Sequence, residues 1–109
     1  MSRTTAIHID LAAISENIQT LRAPLAAHRF MAVVKADAYG HGAVRVARHI
    51  EPVVDALAVA FTEEAVALRE AGVNAPLLIL EGPHTASDLA LSGPLNLWPV
   101  IHSDAQLEW

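Results

Sequence analysis

Lys35 is the only lysine in the 109 residues, and the other six basic side chains are all arginine. It closes the apolar run Phe30-Met31-Ala32-Val33-Val34 and stands directly before Ala36-Asp37-Ala38-Tyr39-Gly40-His41-Gly42. A lysine that serves solubility sits on a polar face, usually in company. A lone lysine at a strand end can also carry its charge out to water along its aliphatic stem. This one leaves a run that reads as a fully buried strand and enters a glycine-punctuated turn. Burial lowers the pKa of an ammonium toward the neutral amine, and only the neutral amine attacks a carbonyl or an aldehyde. The chemistry offered is nucleophilic, by a single amine.

The other titratable side chains offer less. His41 lies in the turn beside a glycine, where a histidine more often holds backbone than moves protons. Asp37 falls on the same face as Lys35. His8, His28, His49, His84 and His102 form no i, i+4 pair with a third ligand in reach, so no metal site is expected. Neither a Gly-x-Ser-x-Gly elbow nor a Gly-x-Gly-x-x-Gly loop occurs.

The elements that must position Lys35 are legible from hydrophobic spacing. Thr5 to Ile9 is a short β-prone piece. Asp10 is an N-cap candidate before Leu11, Ile14, Ile18, Leu21 and Leu25, one face of an amphipathic helix. Strands are expected at 30–34, 56–60, 77–80 and 96–101. Between them, helical spacing runs from Ala43 to Ile50, from a cap at Thr62 to a C-terminal Gly72, and weakly from Thr85 to Leu91. Short strands that are apolar on both faces and alternate with helices indicate a parallel sheet in an α/β fold. The first helix is expected to lie against that sheet.

Composition sets the outer limits. At 53% hydrophobic residues the chain has ample core material, and its net charge of −5 argues against nucleic acid or an anionic membrane as partner. With no cysteine there is no disulfide framework. No signal-peptide core is present, and no apolar stretch approaches the roughly 18 residues of a membrane span. A cytoplasmic location is expected. Ser103 and Gln106 form a capping box that opens one more helix shortly before Trp109. Four strands are half of the eight in a closed parallel barrel of about 250 residues, so the chain reads as part of something larger.

Val33-Val34-Lys35-Ala36-Asp37-Ala38-Tyr39-Gly40-His41-Gly42 closely resembles the lysine segment of alanine racemases, V-x-K-A-[ND]-A-Y-G-H-G. The resemblance extends to Ala6 through Asn17, to Phe61-Thr62-Glu63-Glu64-Ala65 with Leu68-Arg69-Glu70-Ala71-Gly72, to Leu78-Ile79-Leu80-Glu81-Gly82, and to Val100-Ile101-His102-Ser103 with Gln106-Leu107. It implies a fold-type III pyridoxal 5'-phosphate enzyme. Residues 1–109 would be the N-terminal half of its (β/α)8 TIM-type barrel, with the rest of the barrel and a C-terminal β domain lying beyond Trp109. The implied activity is interconversion of L- and D-alanine, supplying D-alanine for peptidoglycan, by a homodimer when full length.

The implied site residues are Lys35, which would hold the cofactor covalently and act as base on one face of the substrate, and Tyr39, whose hydroxyl would reach the phosphate. Val33 would pack near the ring, and Leu80 would line the pocket. In this family an arginine further along the barrel serves the pyridine nitrogen, so Asp37 is not assigned that role. The second base, a tyrosine of the partner subunit, would also lie beyond Trp109. Two other readings are a broad-specificity or serine racemase of the same fold, and a truncated, non-catalytic remnant.

Overall fold

The computed structural model describes residues 3–109. They fold as α1 (Leu11–Arg22), β1 (Met31–Val33), α2 (Lys35–Tyr39), α3 (Ala43–Ile50), β2 (Ala56–Val59), α4 (Thr62–Glu70), β3 (Leu77–Ile79), α5 (Ala86–Ala90), α6 (Ser92–Leu95), β4 (Leu97–Pro99) and α7 (Asp104–Glu108). The four strands are all parallel and run in the order β1-β2-β3-β4. Each strand reaches its neighbour through helical chain, because parallel neighbours need a long crossover. The α/β class expected from the alternation is the class observed.

One face of the sheet is covered by helices. Leu57, Val59, Leu77 and Ile79 point there, each at 1% exposure or less, against Val46 and Ile50 of α3 and Leu68 of α4. Burying each of these aliphatic side chains contributes about 1.5–3 kcal/mol. Along the other face, register aligns Val33, Ala58, Leu78 and Trp98 in one row. Val33 and Trp98 remain 41% and 46% exposed there, so the expectation of strands buried on both faces fails at the two edges.

Other expectations need correction. Thr5 to Ile9 forms no strand among the described residues. The apolar runs are longer than the strands they contain, although the ladder continues past the strand ends: Val34 N–H donates to Ala58 O and Leu80 N–H to Val59 O, both at 2.8 Å. Helix α1 is capped by Asp10, whose Oδ1 accepts from Ala13 N–H at 3.0 Å, but it ends at Arg22 in a 3₁₀ turn over Ala23–Leu25. It packs on α3 rather than on the sheet, so only Ile18 of its apolar stripe is buried, while Leu21 and Leu25 stay exposed. The N-cap of α4 is Phe61, not Thr62, because Glu64 reaches back to the Phe61 N–H and Thr62 is already helical. Helix α6 had no counterpart in the spacing. No helix among the described residues is long and apolar enough to cross a membrane.

Two polar side chains fix the end of the sheet where the strands begin. The Arg69 guanidinium donates to Val73 O, Ala75 O and Leu95 O at 2.8 Å and to Asn96 O at 3.1 Å, joining α4 to the entries of β3 and β4. Asp55 Oδ2 accepts from Phe30 N–H at 2.6 Å and from Arg22 Nη2 at 3.1 Å, joining the entries of β1 and β2.

The Phe30 bond holds the Asp55 carboxyl below its ordinary 3.8; burial opposes this, and Arg22 and Arg29 reinforce it. A depressed folded-state pKa means the unfolded chain takes up the proton first as pH falls. The stability Asp55 contributes should therefore be complete above its ordinary value and drain away as pH drops through the lower, folded one. Urea midpoints of the native protein and of Asp55→Asn, followed from about pH 5 to about pH 3, should converge as acid is added. A gap that stays constant over that range would contradict this assignment.

Candidate active site

Lys35 leaves the sheet at the C-terminal end of β1, two residues beyond Val33, and is half-buried. The chain then makes a helical turn of the opposite hand. Ala36, Asp37, Ala38 and Tyr39 all have positive φ, between 52° and 56°, and Gly40 follows at 89°. For L-residues this region costs roughly 1–2 kcal/mol each, and runs of it are rarely tolerated. Gly40 and Gly42 mark a turn in the sequence, but nothing there marks the left-handed conformation that Ala36, Asp37, Ala38 and Tyr39 share.

A dense set of bonds holds the turn. Ala38 N–H donates to Val34 O at 2.9 Å and Gly40 N–H to Ala36 O at 3.2 Å. Gly42 N–H donates to Asp37 O at 2.9 Å, and the His41 ring Nδ1 donates to Ala38 O at 3.0 Å. Asp37 Oδ1 accepts from Ala43 N–H at 2.8 Å, at the start of α3. That carboxylate is thus engaged with its own backbone. On the far side Glu64 Oε2 accepts from Ala36 N–H at 2.8 Å.

Tyr39 stands at the end of this turn, 61% exposed. Among the described residues Lys35 enters no ion pair. A hollow of about 720 Å³ opens against this turn, lined by Asp37, Gly40, His41 and Gly42 between Ile7 and Ile9 on one side and Arg45 and Arg48 on the other, and neither Lys35 nor Tyr39 lines it. Lys35 itself is only half-buried, so these residues leave its side chain partly open to solvent. Lys35 and Tyr39 stand at an open rim.

Leu80 reaches the same rim from β3 and is half-buried. Its carbonyl accepts from His102 Nε2 at 3.0 Å, and Gln106 Nε2 donates to Pro83 O at 2.9 Å, so the loops after β3 and β4 are stitched together. Between them Gly82 has φ +72°, and a Cβ placed there would come within 2.0 Å of Val100 O. Gly82 lies just past the apolar run of β3. Its tight approach depends on where β4 arrives. His84 completes the rim, its ring centroid 5.5 Å from that of Phe61 and its Nε2 3.5 Å from Glu81 Oε2.

The donor set is an amine with no ion-pair partner, a phenol four residues away, and the aliphatic side chains of Val33 and Leu80 at the same end of the sheet. An amine suits an aldehyde, a phenol suits a phosphate oxygen, and aliphatic walls suit a flat ring. That chemistry fits pyridoxal phosphate.

Comparison with known proteins supplies the context for this arrangement. Residues 9–109 match the family model described as the N-terminal domain of alanine racemase. The alanine racemase of Alteromonas mediterranea is 47% identical over 109 residues, covering 100% of this chain and 30% of the relative. That of Pseudomonas entomophila is 53% identical over 100 residues, covering 92% and 28%. Among solved structures, the Bacillus anthracis alanine racemase with bound L-Ala-P superposes with a TM-score of 0.84 at 33% identity, covering 92% of this chain and 26% of that one. The Acinetobacter baumannii alanine racemase gives 0.83 at 31%, covering 93% and 30%. The chain spans about 30% of the length of the curated relatives it matches.

Proposed function

The chain belongs to the alanine racemase N-terminal domain family, and from that premise we propose that it supplies the lysine half of a pyridoxal-phosphate-dependent alanine racemase site. The carrying observation is the sole lysine, in no ion pair among the described residues, at the C-terminal end of a parallel strand, where barrel folds gather their chemistry. Bound pyridoxal phosphate would acidify the α-proton of an amino acid by drawing electron density into its ring.

This chain's residues do the rest of the work on one side. Lys35 Nζ would hold the cofactor covalently between turnovers. Freed, Lys35 Nζ takes the α-proton on its face of the substrate and returns one when the reaction runs backward. The Tyr39 hydroxyl would donate to the cofactor phosphate. Val33 and Leu80 would supply aliphatic contacts to the ring from the same end of the sheet. The opposite face of the substrate needs a second acid–base group, supplied by a partner subunit in a homodimer. On this reading the D-alanine formed supplies peptidoglycan in the cytoplasm.

The decisive test replaces the matching segment of the Alteromonas mediterranea enzyme with these residues. Chiral chromatography should then show D-alanine forming from L-alanine, in the presence of pyridoxal phosphate, far faster than with the free cofactor. A well-folded hybrid that does no better than free cofactor would sink the proposal. The 109 residues by themselves should not exceed that background, because the second base is not among them.

A further inference from the structure

Glu64 stands one turn into α4, on a different β-α unit from Lys35, yet its carboxylate bonds three backbone N–H groups at the strand ends. Oε1 accepts from Ala60 N–H at 3.0 Å and Phe61 N–H at 2.9 Å, and Oε2 accepts from Ala36 N–H at 2.8 Å. The first two bonds are local, the ordinary reach of an N3 glutamate back to the start of its own helix. The third is not. Ala36 is 28 residues away in sequence, directly follows Lys35, and is the first residue of the left-handed turn. No bond within the turn uses the Ala36 N–H, so Glu64 is the partner that holds the strained segment where it leaves the sheet.

We propose that Glu64 is the positioning residue for Lys35: by clamping the Ala36 N–H to the end of β2 it fixes the left-handed turn that aims the amine. The proposal rests on the reading of Lys35 as the cofactor-holding amine. The turn costs free energy at four successive residues, and a charge-assisted bond from a neighbouring unit is the kind of contact that offsets it. Within the turn the Asp37 carboxylate bonds forward to Ala43 N–H at the start of α3, so a second carboxylate ties the segment to the helix that follows it. Without the Glu64 bond, Ala36 can relax toward an ordinary conformation, and the amine swings with it.

Glu64→Gln separates the two duties of this side chain. A glutamine Oε1 can still accept from Ala60 and Phe61 N–H, but its NH₂ then faces the Ala36 N–H, donor against donor. Trapping with hydride measures how fast pyridoxal phosphate is captured at Lys35 relative to the Met1 α-amine in the same molecule. Because Lys35 is the only lysine, the peptide masses report the two sites without overlap.

The native chain should favour Lys35 well beyond the ratio found for the same chain in urea. Glu64→Gln should lower that preference roughly tenfold, with its thermal midpoint close to the native one and exchange protection lost at the Ala36 amide. A folded Glu64→Gln that keeps the native preference would overturn the clamp and leave the reading of Lys35 intact. A native chain no more selective than the denatured one would instead remove the premise and the clamp together. Should Glu64→Gln fail to fold, hydrogen exchange in the native chain decides: slow exchange at the Ala36 amide supports the clamp, and exchange as fast as an open turn refutes it.

Discussion

Replacing Lys35 with alanine is expected to abolish cofactor attachment and to reduce racemisation by several orders of magnitude. On the proposed reading, the same nitrogen holds the aldehyde carbon and moves the α-proton, so one substitution removes two functions that cannot be repaired separately. Hydride reduction of the native protein with pyridoxal phosphate should leave a pyridoxyl group on the peptide containing Val34-Lys35-Ala36. The Lys35→Ala protein should carry none on that peptide. Its fold should persist, since the side chain is half-buried and makes no ion pair among the described residues. Turnover preserved in Lys35→Ala would rule out the assigned role, whatever the labelling showed.

The largest structural effect is expected at Gly82. An alanine there meets two separate obstacles. Its φ of +72° lies in the region that L-residues avoid, and its Cβ would fall 2.0 Å from the backbone oxygen of Val100. A flexible side chain could move aside, but a carbonyl in the β3–β4 ladder cannot. Val100 N–H is itself bonded to Ile79 O at 3.1 Å. Strain and overpacking together should cost about 3 kcal/mol. Urea unfolding of Gly82→Ala should show a correspondingly lower midpoint with little change in slope. Gly42→Ala is the internal comparison, for φ is also positive (+92°) but nothing lies within 4 Å of the added carbon, so only the conformational part of the cost remains. Equal losses at the two positions would mean that the Val100 contact has no weight.

Much of this molecule could be read from the order of its residues. The alternation of short apolar runs with helical spacing determined the parallel α/β class, because parallel neighbours need a long, usually helical crossover. Asp10 and Ser103 announced the helices they cap, since a cap is a contact within three residues and is written locally. The position of Lys35 at the end of the first strand followed from the run before it. The motif around it named the family.

What the sequence could not supply was everything that depends on one unit meeting another. The apolar run Phe30 to Val34 does not say that Met31 and Val33 face away from the helices, because exposure at a sheet edge depends on what lies beside it. The stripe on α1 could not reveal that it would dock on α3 and leave Leu21 and Leu25 outside. Thr62 looked like the cap of α4 until Glu64, folded back on Phe61, moved the helix start by one residue. Above all, nothing in Ala-Asp-Ala-Tyr announces a left-handed turn. Local preference disfavours that conformation there, and alongside the turn's own bonds and the local Asp37–Ala43 contact it is held by Glu64, which only tertiary packing brings to it. The sequence by itself determined which amine could react. The direction in which it points was decided by a carboxylate 28 residues away, since an unfavourable backbone conformation persists only where contacts from outside the segment outweigh its cost.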